Sequence, residues 1–232
     1  MKLNTTQKDA LQKLFQVGFR RSSEMLNYIT ESPITLQLSP LTILSPQQLA
    51  EQLEPSLGQE QIVAMELTFS GEFQGTAQII FPRDSAASLV NIIANEERRK
   101  LDQDSLRRET LSEVGNILFN GIMGAISTVV DRGITYMMPA YREGTVQQLL
   151  SVPNSNLYQI SLLGEVQFKI KRIDNAGTKQ LHSFSQVLSP KYLNLFFKKF
   201  RTGKNILFFL EVDTLDTLLH KIKNASDYFT EF

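Results

Sequence analysis

Two long segments of this chain repeat each other at a fixed spacing of 100 residues. Their apolar residues recur every three or four positions, which predicts amphipathic helices that each bury one face. An internal repeat of this kind constrains the chain to a fold that uses the same unit twice. The matched apolar pairs are Leu11 and Leu111, Leu14 and Val114, Val17 and Ile117, Met25 and Ala125, Leu26 and Ile126, and Ile29 and Val129.

Strands and shorter helices are predicted after each long helix. Runs of β-branched and aromatic residues predict strands in 33–44, where prolines interrupt the pattern, and two strands around a turn in 62–81. In the second half, the same signal predicts strands in 134–139, 157–173 and 205–212. Short helices are predicted at 45–53, 84–97, 145–151 and 213–222.

Capping residues predict where the helices begin and end. The first long helix is expected to start at Thr5 or Thr6 and to run to about Ile29. The second is expected to start near Ser105 and to end at Gly133, a residue suited to a left-handed C-terminal position. The predicted caps of the shorter helices are Ser45, followed by Pro46, then Asp84 and Asp213.

The repeat covers essentially the whole chain. Asp84, Leu89 and Val90 of one closing helix match residues of the other at an offset of 129, so the second half holds about 29 more residues than the first. We place the extra residues at 174–204, with a short helix starting at Ser189 or Pro190. The expected fold is therefore α/β of the α+β kind. It is a single domain over 1–232, built from pseudo-two-fold repeats at about 1–98 and 105–232, with an antiparallel-rich sheet flanked by the two long helices.

Composition excludes several functions. The formal net charge is zero and no long basic run occurs, which argues against a nucleic-acid partner or an acidic membrane surface. The chain has no cysteine, so disulfides and thiolate metal sites are excluded. The N-terminus lacks the apolar segment of a secretory signal, and no apolar run is long enough to cross a bilayer. A cytoplasmic protein is expected.

The second long helix carries a polar stripe that differs from an ordinary solvated face. At 100° per residue, Glu109, Glu113, Asn116 and Asn120 share an arc of about 60°. A face selected for solubility favours Glu and Lys four apart, whereas the residues four before and four after Glu113 are Glu109 and Ile117. Each asparagine costs about 0.5 kcal/mol of helix propensity relative to alanine. The stripe is therefore a candidate functional surface.

The same helix contains Gly115, Gly121 and Gly124, each costing about 1 kcal/mol of helix propensity. For these glycines, close packing of the helix against the sheet is favoured over a functional role, because a residue without Cβ admits a neighbouring backbone.

Glu113, Asn116 three residues later and Pro139 after 22 more residues together resemble the signature of the CheC, CheX and FliY family of chemotaxis phosphatases. That family acts on the phosphorylated response regulator CheY, and its members are pseudo-symmetric repeats that each open with a long helix. The segment 66–93 also resembles the hairpin and following helix of the family.

The resemblance implies a role for each residue of the motif. Glu113 would pair with the lysine of the receiver's active site, and Asn116 would orient the water that attacks the aspartyl phosphate. Pro139 would position the rim of the site. Magnesium would be held by the receiver, so the chain would need no cofactor of its own. The family usually has Asp or Ser four residues before the Glu, and Glu109 stands there instead; Asn120 extends the stripe.

The first half departs further from the motif and is expected to be inactive. Lys13 stands where the Glu would be, Gln16 replaces the Asn and Ser39 replaces the Pro, while Asp9 keeps the family identity. Three functions remain open: a receiver phosphatase, which is the favoured one, a non-catalytic module of the flagellar-switch or adaptor type that binds a receiver, and an unrelated α/β protein. Binding of a CheD-type partner also remains open.

Overall fold

The computed structural model describes residues 3–31, 33–71, 74–93, 102–130, 133–149, 160–173, 179–181, 205–212 and 215–224. The helices are α1 (Thr5–Thr30), α2 (Pro46–Leu57), α3 (Arg83–Ile93), α4 (Gln103–Ser127), α5 (Val146–Leu149) and α6 (Leu215–Asn224). The strands are β1 (Ile34–Leu38), β2 (Thr42–Leu44), β3 (Ile62–Ser70), β4 (Gly75–Phe81), β5 (Thr135–Tyr136), β6 (Ala140–Gly144), β7 (Ile160–Ile173), β8 (Lys179–Leu181) and β9 (Asn205–Val212).

The strands join into one antiparallel sheet that contains both halves of the chain. Its order is β1, β7, β9, β4, β3 and β5, with β2 and β8 also paired to β7 and β6 also paired to β3. Between the two halves, β5 with β6 corresponds to β1 with β2, β7 corresponds to β3, and β9 corresponds to β4. With this correspondence, the strand order is the same when it is read from either edge of the sheet. The predicted fold class, a pseudo-two-fold repeat of a long helix and antiparallel strands, is confirmed.

The two long helices cover one face of the sheet. Alternate residues of β3, such as Met65, Leu67 and Phe69, pack there in the main core with α1, α3, α4 and α6. Ile62 and Ala64 point to the opposite face, where α2 and α5 complete a smaller core. This alternation is the period of two expected of a strand that is buried on both sides.

Helices α1 and α4 cross antiparallel at glycine. A Cβ added to Gly18 would lie 2.9 Å from the Ile122 Cα, and one added to Gly121 would lie 2.1 Å from the Ser22 Oγ. The Ser22 hydroxyl donates to the Ile117 carbonyl at 3.1 Å and so fixes the crossing. Gly121 therefore packs against the other helix and not against the sheet, which corrects the sequence-based interpretation.

The other two glycines of α4 differ from each other. A Cβ on Gly115 would lie 2.5 Å from the Met65 Cγ, so this glycine lets the helix settle on β3 as expected. A Cβ on Gly124 would meet only the Arg21 Nη1, at 3.8 Å, and nothing in the structure explains this glycine.

Several predicted helix ends are wrong by a few residues. The N-cap of α1 is Asn4, not Thr5 or Thr6, because Asn4 and Gln7 exchange side-chain and backbone hydrogen bonds in a capping box. Helix α4 starts at Gln103 after the cap Asp102, and it stops at Ser127 well before Gly133. Asp84 lies inside the first turn of α3 and does not precede it. Ser45 caps α2 as predicted, with Pro46 first.

The exposed end of α1 also differs from expectation. Met25 and Ile29 were expected on the buried face, yet they are 50% and 45% exposed. Strands β6 and β8 were not predicted. The predicted cap Asp213 and the short helix at Ser189 or Pro190 lie outside the described residues. None of the helices that the structure describes has the length and apolar character to cross a membrane.

Each edge of the sheet contains a bulge at a proline. Tyr136 pairs with Phe69 and Ala140 with Glu66, so three residues, 137–139, face two residues of β3. On the other edge, Leu38 pairs with Val166 and Thr42 with Leu163, so 39–41 face two residues of β7. Pro139 and Pro40 lie in these bulges, where a missing N–H costs no ladder hydrogen bond.

Candidate functional site

Helix α4 presents the predicted polar stripe at the surface. The Asp102 carboxylate accepts from the Asp104 and Ser105 backbone N–H groups at 3.1 and 3.0 Å, which starts the helix before the stripe. Gly115 lies against Met65 on the inner side. The helix is continuous through 103–127, so the stripe lies on its outer side, away from the buried residues.

Within the stripe, the four side chains differ in exposure. Glu109 and Asn120 are exposed, whereas Glu113 and Asn116 are half-buried. The Asn116 Oδ1 is fully buried and has no hydrogen-bond partner among the residues that the structure describes. A buried carbonyl without a partner is uncommon, because it costs about 1–3 kcal/mol. Stability of the fold does not explain the amide at this position.

Pro139 lies at the edge of the sheet, directly before β6. It is half-buried at the end of the bulge, and Tyr141, two residues further on, pairs with Met65, the residue on which Gly115 packs. The structure therefore brings Pro139 to the strand that runs beside α4. The preceding bulge residues Met137 and Met138 are 75% and 87% exposed.

The corresponding surface of the first half is arranged differently. Lys13 and Gln16 are exposed on α1, as is Asp9. The Gln12 amide reaches the edge bulge, donating to the Ser39 carbonyl at 3.1 Å and accepting from the Leu41 N–H at 2.9 Å. Ser39 is bonded to β7, since its hydroxyl accepts from the Glu165 N–H at 3.1 Å. This bulge is tied to both its helix and its neighbouring strand.

A polar cluster that the sequence did not predict joins the start of α4 to β6. The Tyr141 hydroxyl donates to the Glu143 Oε1 at 2.5 Å, and the Arg107 Nη2 donates to the same oxygen at 3.1 Å. The Arg107 Nη2 also lies 3.2 Å from the Asp104 Oδ1. The Arg108 guanidinium lies 4.8 Å above the centre of the Tyr141 ring. We call Arg107, Arg108, Tyr141 and Glu143 the edge clamp.

The edge clamp shifts two pKa values. Burial, and then the hydrogen bond to the Glu143 carboxylate, raises the pKa of Tyr141 to about 12. The hydrogen bond from Tyr141 lowers the pKa of Glu143 below its usual value, and the nearby Arg107 adds to this effect. Both shifts favour a protonated phenol beside an ionised carboxylate at neutral pH.

The opposite face of the same strand carries a separate ion pair. The Arg142 Nη2 lies 2.8 Å from the Glu66 Oε1, and the Gln78 amide donates to the Glu66 Oε2 at 2.7 Å. Strand alternation directs Arg142 away from α4. Within the described ranges, no group of three or more His, Asp and Glu side chains is arranged to hold a metal ion.

Known structures share this architecture over nearly the whole chain. FliY from Thermotoga maritima is similar over 100% of this chain and 99% of its own, with a TM-score of 0.61 and 11% identity. The FliM–SpeE complex from H. pylori contains a similar chain, with a TM-score of 0.60, 10% identity and coverage of 96% and 97%. The chain has the fold of FliY and FliM.

A third similar structure is the FliG–FliM complex from H. pylori, with a TM-score of 0.55, 10% identity and coverage of 94% of this chain and 100% of that one. A scan against protein-family models finds no match, and a comparison with curated proteins finds none either. The family resemblance that was drawn from Glu113, Asn116 and Pro139 is confirmed at the level of the fold by the similarity to FliY.

Proposed function

We propose that this protein is an aspartyl-phosphate phosphatase that accelerates dephosphorylation of a CheY-like receiver domain. The observation that carries the proposal is the Asn116 amide, which lies beside Glu113 on the outer side of α4 with its buried Oδ1 unpartnered among the described residues. The FliY-like fold supports the proposal, since the sequence motif and the fold agree on one family.

The chemistry requires positioning more than acid–base strength. An acyl phosphate is already activated, so a water molecule held in line with the phosphorus is sufficient for hydrolysis. The water oxygen forms a bond to phosphorus while the bond to the aspartyl oxygen breaks. The products are inorganic phosphate and the receiver's free carboxylate. In this proposal the Asn116 amide orients the water.

Glu113 would hold the receiver in register. Residues three apart on a helix have side chains about 5–6 Å apart, a spacing that lets Glu113 and Asn116 contact neighbouring groups in one pocket. The Glu113 carboxylate would accept a charge-assisted hydrogen bond from the receiver's active-site lysine. The magnesium ion in this reaction would belong to the receiver, and the residues of this chain would not ligate it.

Receivers from the same organism, phosphorylated with a small phosphodonor, provide the test. The wild-type protein is expected to raise the first-order rate of phosphate loss from at least one receiver, and Asn116→Ala is expected to abolish the increase while binding persists. Glu113→Ala is expected to weaken binding as well as the rate. If wild type accelerates none of the receivers, the protein is not a receiver phosphatase.

A second candidate is a binding module without catalytic activity. It is favoured by the similarity to FliM, whose structures with FliG and with SpeE have TM-scores close to that of FliY. Such a module would bind a receiver or another protein through the α4 stripe and leave the phosphoryl group intact. Binding of a receiver with no change in its rate of phosphate loss would establish this candidate. A CheD-type partner is compatible with either function.

A further inference from the structure

The edge clamp joins the N-terminal part of α4 to the edge of the sheet. Glu143 on β6 receives two hydrogen bonds on one oxygen, from Tyr141 of the same strand and from Arg107 of the helix. Arg108, the next residue of the helix, covers the Tyr141 ring. Two consecutive residues of α4 therefore contact two side chains on one face of β6.

The clamp connects to the candidate site through one shared contact. Tyr141 pairs directly with Met65, and the Met65 side chain is the surface on which Gly115 packs. Gly115 lies in the turn between Glu113 and Asn116. A rotation of α4 about its axis would change the clamp and the direction of the Asn116 amide together.

The clamp is confined to the half of the chain that carries Glu113 and Asn116. At the repeat spacing of 100 residues, Arg107 corresponds to Gln7, which belongs to the capping box of α1. When the two halves are aligned at their edge bulges, Thr42 corresponds to Ala140, and so Tyr141 and Glu143 correspond to Ile43 and Ser45. Ile43 packs against the core, and Ser45 caps α2. The first half thus forms the same helix and strands without these contacts, so the repeated unit does not need the clamp in order to fold.

We infer that Tyr141 and Glu143 are positioning residues, which hold α4 in the rotation that aims Asn116 at the partner's phosphoryl group. The inference rests on the proposed function for its kinetic consequence, but the positioning itself is a property of the free protein. A side-chain atom about 6 Å from the helix axis moves about 1 Å when the helix rotates by about 10°. A misplacement of about 1 Å can reduce a rate by up to about 100-fold.

The test compares four variants of the full chain. Tyr141→Phe removes the hydroxyl and keeps the ring under Arg108, and Glu143→Ala removes the acceptor. Glu143→Gln retains an acceptor oxygen and serves as the conservative variant. Arg142→Gln is the matched control, because it breaks an ion pair on the same strand but on the opposite face.

Two readouts are measured for each variant: kcat and KM for receiver dephosphorylation, and the NMR signals of the Asn116 side-chain amide in the free protein. Tyr141→Phe and Glu143→Ala are expected to lower kcat about tenfold or more, to leave KM within about twofold and to shift the Asn116 signals. Glu143→Gln and Arg142→Gln are expected to leave both readouts close to wild type.

The inference is overturned if the Asn116 signals in Tyr141→Phe and Glu143→Ala match wild type, or if Arg142→Gln shifts them equally. If the wild-type protein proves inactive on every receiver, the proposed function fails, and the NMR readout alone decides the positioning role. If Glu143→Ala does not fold, Tyr141→Phe gives the same decision.

Discussion

Asn116 is a residue that the fold alone does not explain. An asparagine inside a helix costs about 0.5 kcal/mol relative to alanine, and a buried carbonyl without a partner costs about 1–3 kcal/mol more. Its Oδ1 is buried without a partner among the described residues, although the helix around it is well packed. A buried polar group that costs stability in this way is a candidate for a functional role.

Replacing Asn116 by alanine should therefore not weaken the fold. We expect Asn116→Ala to unfold in urea with a free energy equal to wild type or up to about 1 kcal/mol higher, because alanine removes the unpartnered oxygen and favours the helix. The exposed Asn120 supplies a comparison for stability alone, since Asn120→Ala gains helix propensity only. A loss of more than about 1 kcal/mol in Asn116→Ala would show a structural role for the amide.

Tyr141 should ionise only at a pH well above the usual value for a tyrosine. Its pKa is raised from the usual 10.0 to about 12. In the unfolded chain it ionises near pH 10, so the folded state loses stability relative to the unfolded state as the pH rises from 10 to 12. The difference in the ultraviolet absorbance of ionised tyrosine between wild type and Tyr141→Phe, followed against pH, measures this ionisation. A midpoint near 10 in the difference curve would contradict the clamp geometry.

The spacing of Glu113 and Asn116 was readable from the sequence because both lie on one helix. The edge clamp was not, because Arg107 and Glu143 are 36 positions apart and meet only through the pairing of β6 with β3. No periodic pattern marks such a pair. The unpartnered oxygen of Asn116 likewise depends on the packing around it and has no signal in the sequence.

At the scale of elements, the crossing of α1 and α4 depends on glycine. Gly18 and Gly121 let the backbones approach so closely that the Ser22 hydroxyl reaches a carbonyl of the other helix. The crossing also sets the distance between α4 and the sheet, because α4 packs on β3 at Gly115 and on α1 at Gly121.

Two glycine substitutions should have opposite effects. Gly121→Ala is expected to lower the free energy of unfolding by about 1–3 kcal/mol, because its Cβ would lie 2.5 Å from the Gly18 carbonyl oxygen. Gly124→Ala is expected to raise it by about 1 kcal/mol through helix propensity, since its Cβ meets only the end of Arg21. Urea unfolding of the two variants checks both signs. No loss of stability in Gly121→Ala would mean that the helices do not cross at Gly121.

Periodicity predicted most helices and strands, including β9 at its observed bounds. It failed at helix ends, where a capping box at Asn4 competed with the threonines that follow it. It also missed β6, whose residues 140–144 lack a run of β-branched side chains and form a strand only because β3 offers an unpaired edge. Pairing with β3, and not the local sequence, makes residues 140–144 a strand.

At the scale of the molecule, a symmetric sheet carries an asymmetric surface. The strand order reads alike from both edges, yet only the second half places Glu, Asn and Pro in the motif positions. In the first half, Gln12 and Ser39 tie down the edge bulge. The repeat in the sequence predicted this symmetry, whereas the tie of the first bulge required the structure.

Restoring the motif in the first half should not restore activity. In an Asn116→Ala background, Lys13→Glu with Gln16→Asn is expected to leave the rate of receiver dephosphorylation within about twofold of the background. The reason is that, with the two edge bulges aligned, the first half has Leu41 where the second half has Pro139, and Ser39 of that bulge is bonded to β7. The same phosphate-release assay measures it. A rise of about tenfold or more would mean that two side chains on a helix suffice for the site.

The most direct test of the central claim is the first-order rate of phosphate loss from a receiver at saturating concentrations of wild type and of Asn116→Ala. We expect wild type to accelerate the loss, and Asn116→Ala, while still saturating the receiver, to lose about 100-fold or the whole of that acceleration. Equal acceleration by both proteins would contradict the assignment of Asn116 as the catalytic amide.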